Sequence, residues 1–177
     1  MRNETPLWIF GYGSLIWRAD FPYEEQTPAT ISDYVRRFWQ GSADHRGVPA
    51  YPGRVVTLHP SPGSTCWGVA YRIDPAKTKA VLAHLDYREK GGYERLQIEL
   101  DIRGRKQSGL TYFATPSNPD YLGASALHEI VEQIKRAAGP SGTNIEYVLR
   151  LEEALNTMDV TDPHVSDIAR SLREHLS

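Results

Sequence analysis

The chain has a single cysteine, Cys66, among 177 residues, which excludes an internal disulfide and any cysteine-rich metal centre. Its six histidines, at 45, 59, 84, 128, 164 and 175, never fall in ligand spacing such as His-x-x-x-His beside a glutamate, so no metal is expected. No apolar run approaches the roughly 20 residues that cross a bilayer, and no basic-then-apolar stretch reads as a secretory signal. A cytoplasmic protein without membrane insertion is the expectation. A net charge of −2 lacks the basic excess that nucleic acid demands of a partner. Repeats and low-complexity segments are also missing. What remains, 40% hydrophobic and 24% charged residues, fits one globular domain over residues 1–177.

The stretch that stands out is Leu7–Trp17, L-W-I-F-G-Y-G-S-L-I-W. Leu7–Phe10 reads as a buried strand that breaks into Gly11-Tyr12-Gly13-Ser14. Glycines on both sides of Tyr12 allow close approach to the main chain, and successive N–H groups with the Ser14 hydroxyl suit a carboxylate or an oxyanion. An ordinary strand-to-loop turn reads equally well from these residues alone. The phosphate-loop Gly-Lys-Ser/Thr and the third glycine of a dinucleotide fingerprint are both missing, which disfavours a nucleotide site. Ser14 has Tyr12 and Ile16 two positions away instead of glycines, so it is no nucleophile elbow.

Farther along, residues 19–28 read as irregular and Thr30–Trp39 as a strand, with Ile31, Tyr34, Val35, Phe38 and Trp39 as its burial candidates. Gln40–Arg54 is a long polar loop in which His45 and Arg46 are expected to be solvated. Val55–Leu58 and Cys66–Ile73 read as two strands joined by a turn at Pro60–Gly63, with Cys66 as a small core residue. Asp74-Pro75 opens a helix to about Leu85. Leu96, Ile98, Leu100 and Ile102 alternate as in a half-buried strand, followed by a turn at 104–109 and a partner over Leu110–Ala114.

The last third reads as three helices. Leu127, Ile130, Val131, Ile134 and Ala138 mark the inner face of the first. Ile145, Val148, Leu149 and Leu155 mark the second, and Val165, Ile168, Ala169, Leu172 and Leu176 mark the third. His128, His164 and His175 are expected at the surface. Strands first and helices after give an α+β fold, with a closed or strongly curved sheet.

Glu89 is the carboxylate of interest. It follows a helix, precedes two glycines and has Tyr87 and Tyr93 on either side. Lost hydration there would raise a carboxyl pKa toward the range of a general base. A solvated glutamate paired with Arg88 or Lys90 is the competing reading.

Several blocks together resemble the ChaC family, the glutathione-specific γ-glutamylcyclotransferases, also called cation transport regulator-like proteins. They are F-G-Y-G-S-L-I-W at 10–17, R-R-F-W-Q-G-S at 36–42, D-H-R-G at 44–47, P-G-R-V-V-T-L at 52–58, W-G-V-A-Y at 67–71, R-E-K-G-G-Y at 88–93, N-P-D-Y-L-G at 118–123 and E-Y-V-L-R-L at 146–151. Tyr51 stands where the family usually has a non-aromatic residue. The resemblance implies a small mixed β-barrel flanked by helices, and conversion of glutathione to 5-oxoproline and Cys-Gly without metal or organic cofactor. It assigns the γ-glutamyl group to Ile9, Phe10, Gly11, Tyr12, Gly13, Ser14 and Leu15, catalysis to Glu89, and a pocket-lining place to Tyr147. A cyclotransferase for other γ-glutamyl compounds and a non-catalytic regulator of cation transport are the alternatives.

Overall fold

The computed structural model describes residues 5–177. Five strands close a barrel: β1 (Leu7–Gly11), β2 (Glu25–Ser42), β3 (Gly53–Ile73), β4 (Glu94–Ile102) and β5 (Arg105–Phe113), in the order β1-β3-β2-β4-β5. The barrel is mixed. β1 pairs antiparallel with β3, Leu7 opposite Ile73, but parallel with β5, Trp8 opposite Gly109. Four helices accompany it: α1 (Thr78–Arg88), α2 (Leu127–Arg136), α3 (Asn144–Thr157) and α4 (Pro163–Leu176). The α+β barrel expected from the sequence is therefore present.

The chain divides into two compact units, residues 1–35 with 60–115 and residues 36–59 with 116–177. The first has its core in Ile9, Phe10, Tyr71, Ile73, Leu85 and Leu100, all fully buried. β4 and β5 form its hairpin, with Ile102 opposite Arg105. Only Arg103 and Gly104 turn the chain, both at positive φ, as a two-residue hairpin of this handedness requires. The turn is thus tighter than the expected 104–109. The alternation along β4 holds: Leu100 and Ile102 are buried, Leu96, Ile98 and Asp101 half-buried, and Gln97 and Glu99 exposed.

β3 runs unbroken where two strands and a turn were expected. Pro60 and Pro62 keep to extended backbone because their fixed φ suits it, and Gly63 at φ +84° absorbs the irregularity. The Gly63 amide donates to Asp33 Oδ1 at 2.8 Å, and Asp33 is itself at φ +70°. β2 likewise starts at Glu25 and takes in Pro28, part of the stretch expected to be irregular. Asp74 caps the next segment by accepting from the Ala76 amide at 3.0 Å. A 3₁₀ turn, Pro75–Lys77, leads into α1, which passes the expected Leu85 and ends at Arg88.

In the second unit, α2 buries Ile130, Val131 and Ile134. It stops at Arg136, and Ala138–Gly139 (β6) pairs with Gly142–Thr143 (β7), so Ala138 is in a small hairpin instead of on a helical face. α3 buries Tyr147, Val148, Leu151 and Leu155, and α4 buries Val165, Ile168, Ala169 and Leu172, while Leu176 is exposed.

Three arginines from the quoted sequence blocks are buried in this unit. Arg36 Nε donates to Asp162 Oδ2 at 3.0 Å. Arg54 donates to Gln133 Oε1, the Phe38 carbonyl and Ser125 Oγ at 2.7, 2.9 and 3.1 Å. Burial pulls its pKa down, with Glu129 acting in opposition. Arg46 donates to Glu146 Oε2 and the Thr143 carbonyl at 3.0 and 3.1 Å. It was expected in solvent; the structure buries it because Glu146 and the start of α3 satisfy it. His45 beside it is exposed, as expected.

His164 is a second correction. Half-buried, it accepts the Phe38 amide on Nε2 at 3.0 Å and lies against the Phe38 ring. Burial, then the neighbouring Arg37 charge, pushes its pKa down to about 4. His128 and His175 are at the surface as expected.

Candidate active site

β1 delivers the chain to the loop Gly11–Leu15, which closes as a 3₁₀ turn over Ser14–Ile16. The Ile16 amide donates to the Gly13 carbonyl at 3.0 Å and the Arg18 amide to the Ser14 carbonyl at 2.8 Å. The amides that open such a turn have no partner within it, and they point out of its start. Tyr12 and Leu15 are buried, and Gly13 and Ser14 are the residues of this loop with partial exposure.

The Tyr12 hydroxyl donates to the Tyr112 carbonyl at 2.6 Å, and the Leu15 carbonyl accepts from the Tyr71 hydroxyl. Burial, then Tyr23, pushes the Tyr71 phenol up to about 12, so it remains a donor at ordinary pH. The loop is therefore anchored at two points by tyrosines. Ile9 and Phe10 side chains are fully buried, and the Phe10 carbonyl accepts from Thr111 Oγ1 at 2.8 Å.

Two glycines act through close approach. A Cβ on Gly11 would stand 2.7 Å from Leu15 Cβ, and one on Gly68 would stand 2.3 Å from the Gly11 carbonyl oxygen. Either would push the loop out of place.

Glu89 is the C-terminal cap of α1, its amide donating to the Leu85 carbonyl at 2.9 Å. Its side chain is 20% exposed, between the buried carboxylate and the solvated one that the sequence left open. Arg88 joins it to the loop. Arg88 Nη2 donates to Ser14 Oγ at 2.9 Å and Nη1 to Asp20 Oδ1 at 2.9 Å, while Nε lies 3.9 Å from Glu89 Oε1. His84 Nε2, one turn back on α1, stands 3.2 Å from Asp20 Oδ2. Burial raises the Asp20 pKa, but the Arg88 charge and the bonds from His84 and Arg88 outweigh it and bring it below the usual value.

Next to this cluster, Asp86 accepts from the Tyr112 hydroxyl at 2.6 Å and pairs with both nitrogens of the Arg95 fork. Those bonds lower its pKa, Arg95's first.

The structure thus brings the loop and Glu89 together within the first unit. Tyr147 belongs to the second unit, where it is buried under the Arg46 guanidinium, 5.6 Å from the ring centre, and its hydroxyl accepts the Val56 amide at 3.4 Å. Sequence reasoning missed Asp20 altogether and took Arg88 only as a partner for Glu89. The one available signal was Arg88's place in the R-E-K-G-G-Y block. Cys66 is buried, as expected of a core residue. Among the described residues no group of three or more His, Cys, Asp or Glu side chains is arranged to hold a metal ion. None of the described helices is long and apolar enough to cross a membrane.

The family described as ChaC-like protein matches residues 7–175, and the chain belongs to the ChaC family. Among its relatives, Gamma-glutamylcyclotransferase 2-3 of Arabidopsis thaliana is 44% identical, over 97% of this chain and 90% of the relative. Glutathione-specific gamma-glutamylcyclotransferase 1 of Danio rerio is 43% identical, over 96% and 90%. A crystal structure of the γ-glutamyl cyclotransferase specific to glutathione from yeast superposes with a TM-score of 0.91 at 29% identity, covering 97% of each chain.

Proposed function

We propose that this chain is a γ-glutamylcyclotransferase that converts glutathione to 5-oxoproline and Cys-Gly, with Glu89 as general acid and base. The observation that carries this reading is the meeting of Glu89 and the Gly11–Leu15 loop at one arginine, in a chain whose relatives are named for that reaction.

At neutral pH the substrate's α-amine is an ammonium and cannot attack. Glu89 takes one proton from it. The freed nitrogen bonds to the γ-carbonyl carbon, and the carbonyl electron pair moves onto oxygen, giving a tetrahedral oxyanion. Opening amides of the loop stabilise that charge; one such donor is worth roughly 3 kcal/mol in enzymes where it has been removed. As the carbonyl re-forms, the amide C–N bond breaks and Glu89 returns its proton to the departing nitrogen. The attacking nitrogen loses its second proton to the same product amine, which leaves as an ammonium.

Attack within one substrate needs only a folded geometry, and general acid–base catalysis adds about 10²–10⁴-fold. Ile9 and Phe10 carry the chain into the loop from a buried strand paired with β3 and β5. Tyr147 is carried as a substrate-contact candidate only on its match to the family's E-Y-V-L-R-L block. The family match runs through both units, which supports residues 1–177 working as one domain.

The test is release of 5-oxoproline from glutathione and from γ-glutamyl-alanine. Turnover of glutathione with little of the other supports the reading. Comparable turnover of both makes the chain a broader γ-glutamyl enzyme, and no turnover of either removes the assignment.

A further inference from the structure

We propose that Arg88 is a positioning residue for this reaction, fixing the Glu89 end of α1 to the substrate loop and sharing its charge between Asp20 and Glu89. The inference rests on the reading of Glu89 as the proton carrier.

Arg88 is the last residue of α1, so whatever holds its side chain also fixes the backbone from which Glu89 departs. Its guanidinium is a planar fork of donors that can hold several acceptors at once. It holds three on one segment: Ser14 Oγ, the Arg18 carbonyl at 3.3 Å and Asp20 Oδ1. His84, four residues earlier on α1, meets the other Asp20 oxygen. The loop from Ser14 to Asp20 is therefore clamped to the last turn of the helix by two of its side chains.

The charge arrangement matters as much as the clamp. An arginine bonded directly to Glu89 would hold its carboxylate ionised and take away its basicity. Here the hydrogen bonds of Arg88 Nη1 and Nη2 go to Asp20, Ser14 and the Arg18 carbonyl, and Nε stands at ion-pair distance from Glu89, beyond hydrogen-bond range. Asp20 then sets how much of the arginine's field Glu89 feels. Other charged groups about this end of α1 include His84, against Asp20, Lys90, whose Nζ lies over the Tyr87 ring, and the Asp86–Arg95 pair.

Arg88→Met and Asp20→Asn make opposite predictions. Activity needs Glu89 ionised, so the acid limb of kcat/KM follows its pKa. Arg88→Met removes a cation, raises that pKa and moves the limb to higher pH. Asp20→Asn removes an anion, leaves Arg88 to Glu89 and moves the limb to lower pH. Shifts of about half a unit to one unit are expected, since partly exposed charges are screened. Arg88→Met should also lower kcat about 10–100-fold, with a smaller change in KM, because a misplacement of about 1 Å costs on that scale. Arg88→Lys restores the charge and the limb but not kcat, since an ammonium cannot hold Ser14 and Asp20 in one plane.

Damage to the fold alone would not give limb shifts of opposite sign. The Glu89 carboxyl titration, followed by NMR on glutamate-labelled wild type, Arg88→Met and Asp20→Asn, reads the same coupling without turnover. Opposite shifts there support the proposal even if no γ-glutamyl compound is turned over, in which case only the functional reading fails. Identical titrations, or variants with wild-type kcat and limbs in an active enzyme, overturn the role of Arg88 and leave the function standing.

Discussion

Glu89 sits at a helix end with its side chain 20% exposed, and the proposed mechanism makes it the proton carrier. Glu89→Gln keeps shape and removes the proton acceptor. 5-oxoproline release should fall by at least about 10²-fold with an unchanged melting temperature, measured by product assay and thermal melt. Full activity in that variant would take Glu89 out of the mechanism. His164 makes a separate prediction about stability. Its folded pKa, about 4, lies below the ordinary 6.5, so the folded state favours the neutral ring. The stability this contributes is complete above pH 6.5 and is lost as pH falls through 4; its upper bound is roughly 3 kcal/mol. Wild type should therefore lose more melting temperature between pH 7 and 4 than His164→Gln does. Parallel losses would show that the ring titrates normally.

At the scale of elements, the glycines around the loop act by letting backbone and ring come close. Gly68→Ala puts a methyl 2.3 Å from the Gly11 carbonyl and 2.7 Å from the Phe10 ring, in a core that cannot yield. It should cost about 1–3 kcal/mol of stability and reduce turnover at least about tenfold, seen by denaturant melts and kinetics. Gly104→Ala differs: a Cβ there meets nothing within 4 Å, but φ is +80°. About 1 kcal/mol of stability should go with turnover unaffected.

The alternation of Leu96, Ile98, Leu100 and Ile102 made β4 legible, because a period of two needs no knowledge of partners. β3 was not legible as one strand. Pro60, Pro62 and Gly63 read locally as a turn, and the hydrogen bond from Gly63 to Asp33, thirty residues away in sequence, is not visible in that local pattern. The same limit applies to Arg46 and His164. Their partners Glu146 and Phe38 lie 100 and 126 residues away, and no local pattern records them. In the candidate site, the loop and Glu89 were legible as motif blocks. The guanidinium linking them was not, since Arg88 beside Glu89 reads as a local pair until Ser14 and Asp20 are seen on its other side.

Across the whole molecule, the quoted blocks do two kinds of work. Phe10–Trp17, Trp67–Tyr71 and Arg88–Tyr93 supply or shape the loop and Glu89. Arg36, Arg46 and Arg54, from three other blocks, are buried clamps with carboxylate, amide and carbonyl partners of their own. Removing such a group leaves its partners buried and unpaired, at about 1–3 kcal/mol each. Arg54→Met should thus lower the melting temperature by several degrees or more, while the proposed Glu89 chemistry persists in whatever fraction stays folded. The claim on which the proposed mechanism depends is that the substrate's own amine, and not water, attacks the γ-carbonyl. Counting products from glutathione tests it most directly. Cyclisation predicts 5-oxoproline and Cys-Gly in equal amounts with no free glutamate; glutamate in place of 5-oxoproline, or no product at all, would contradict it.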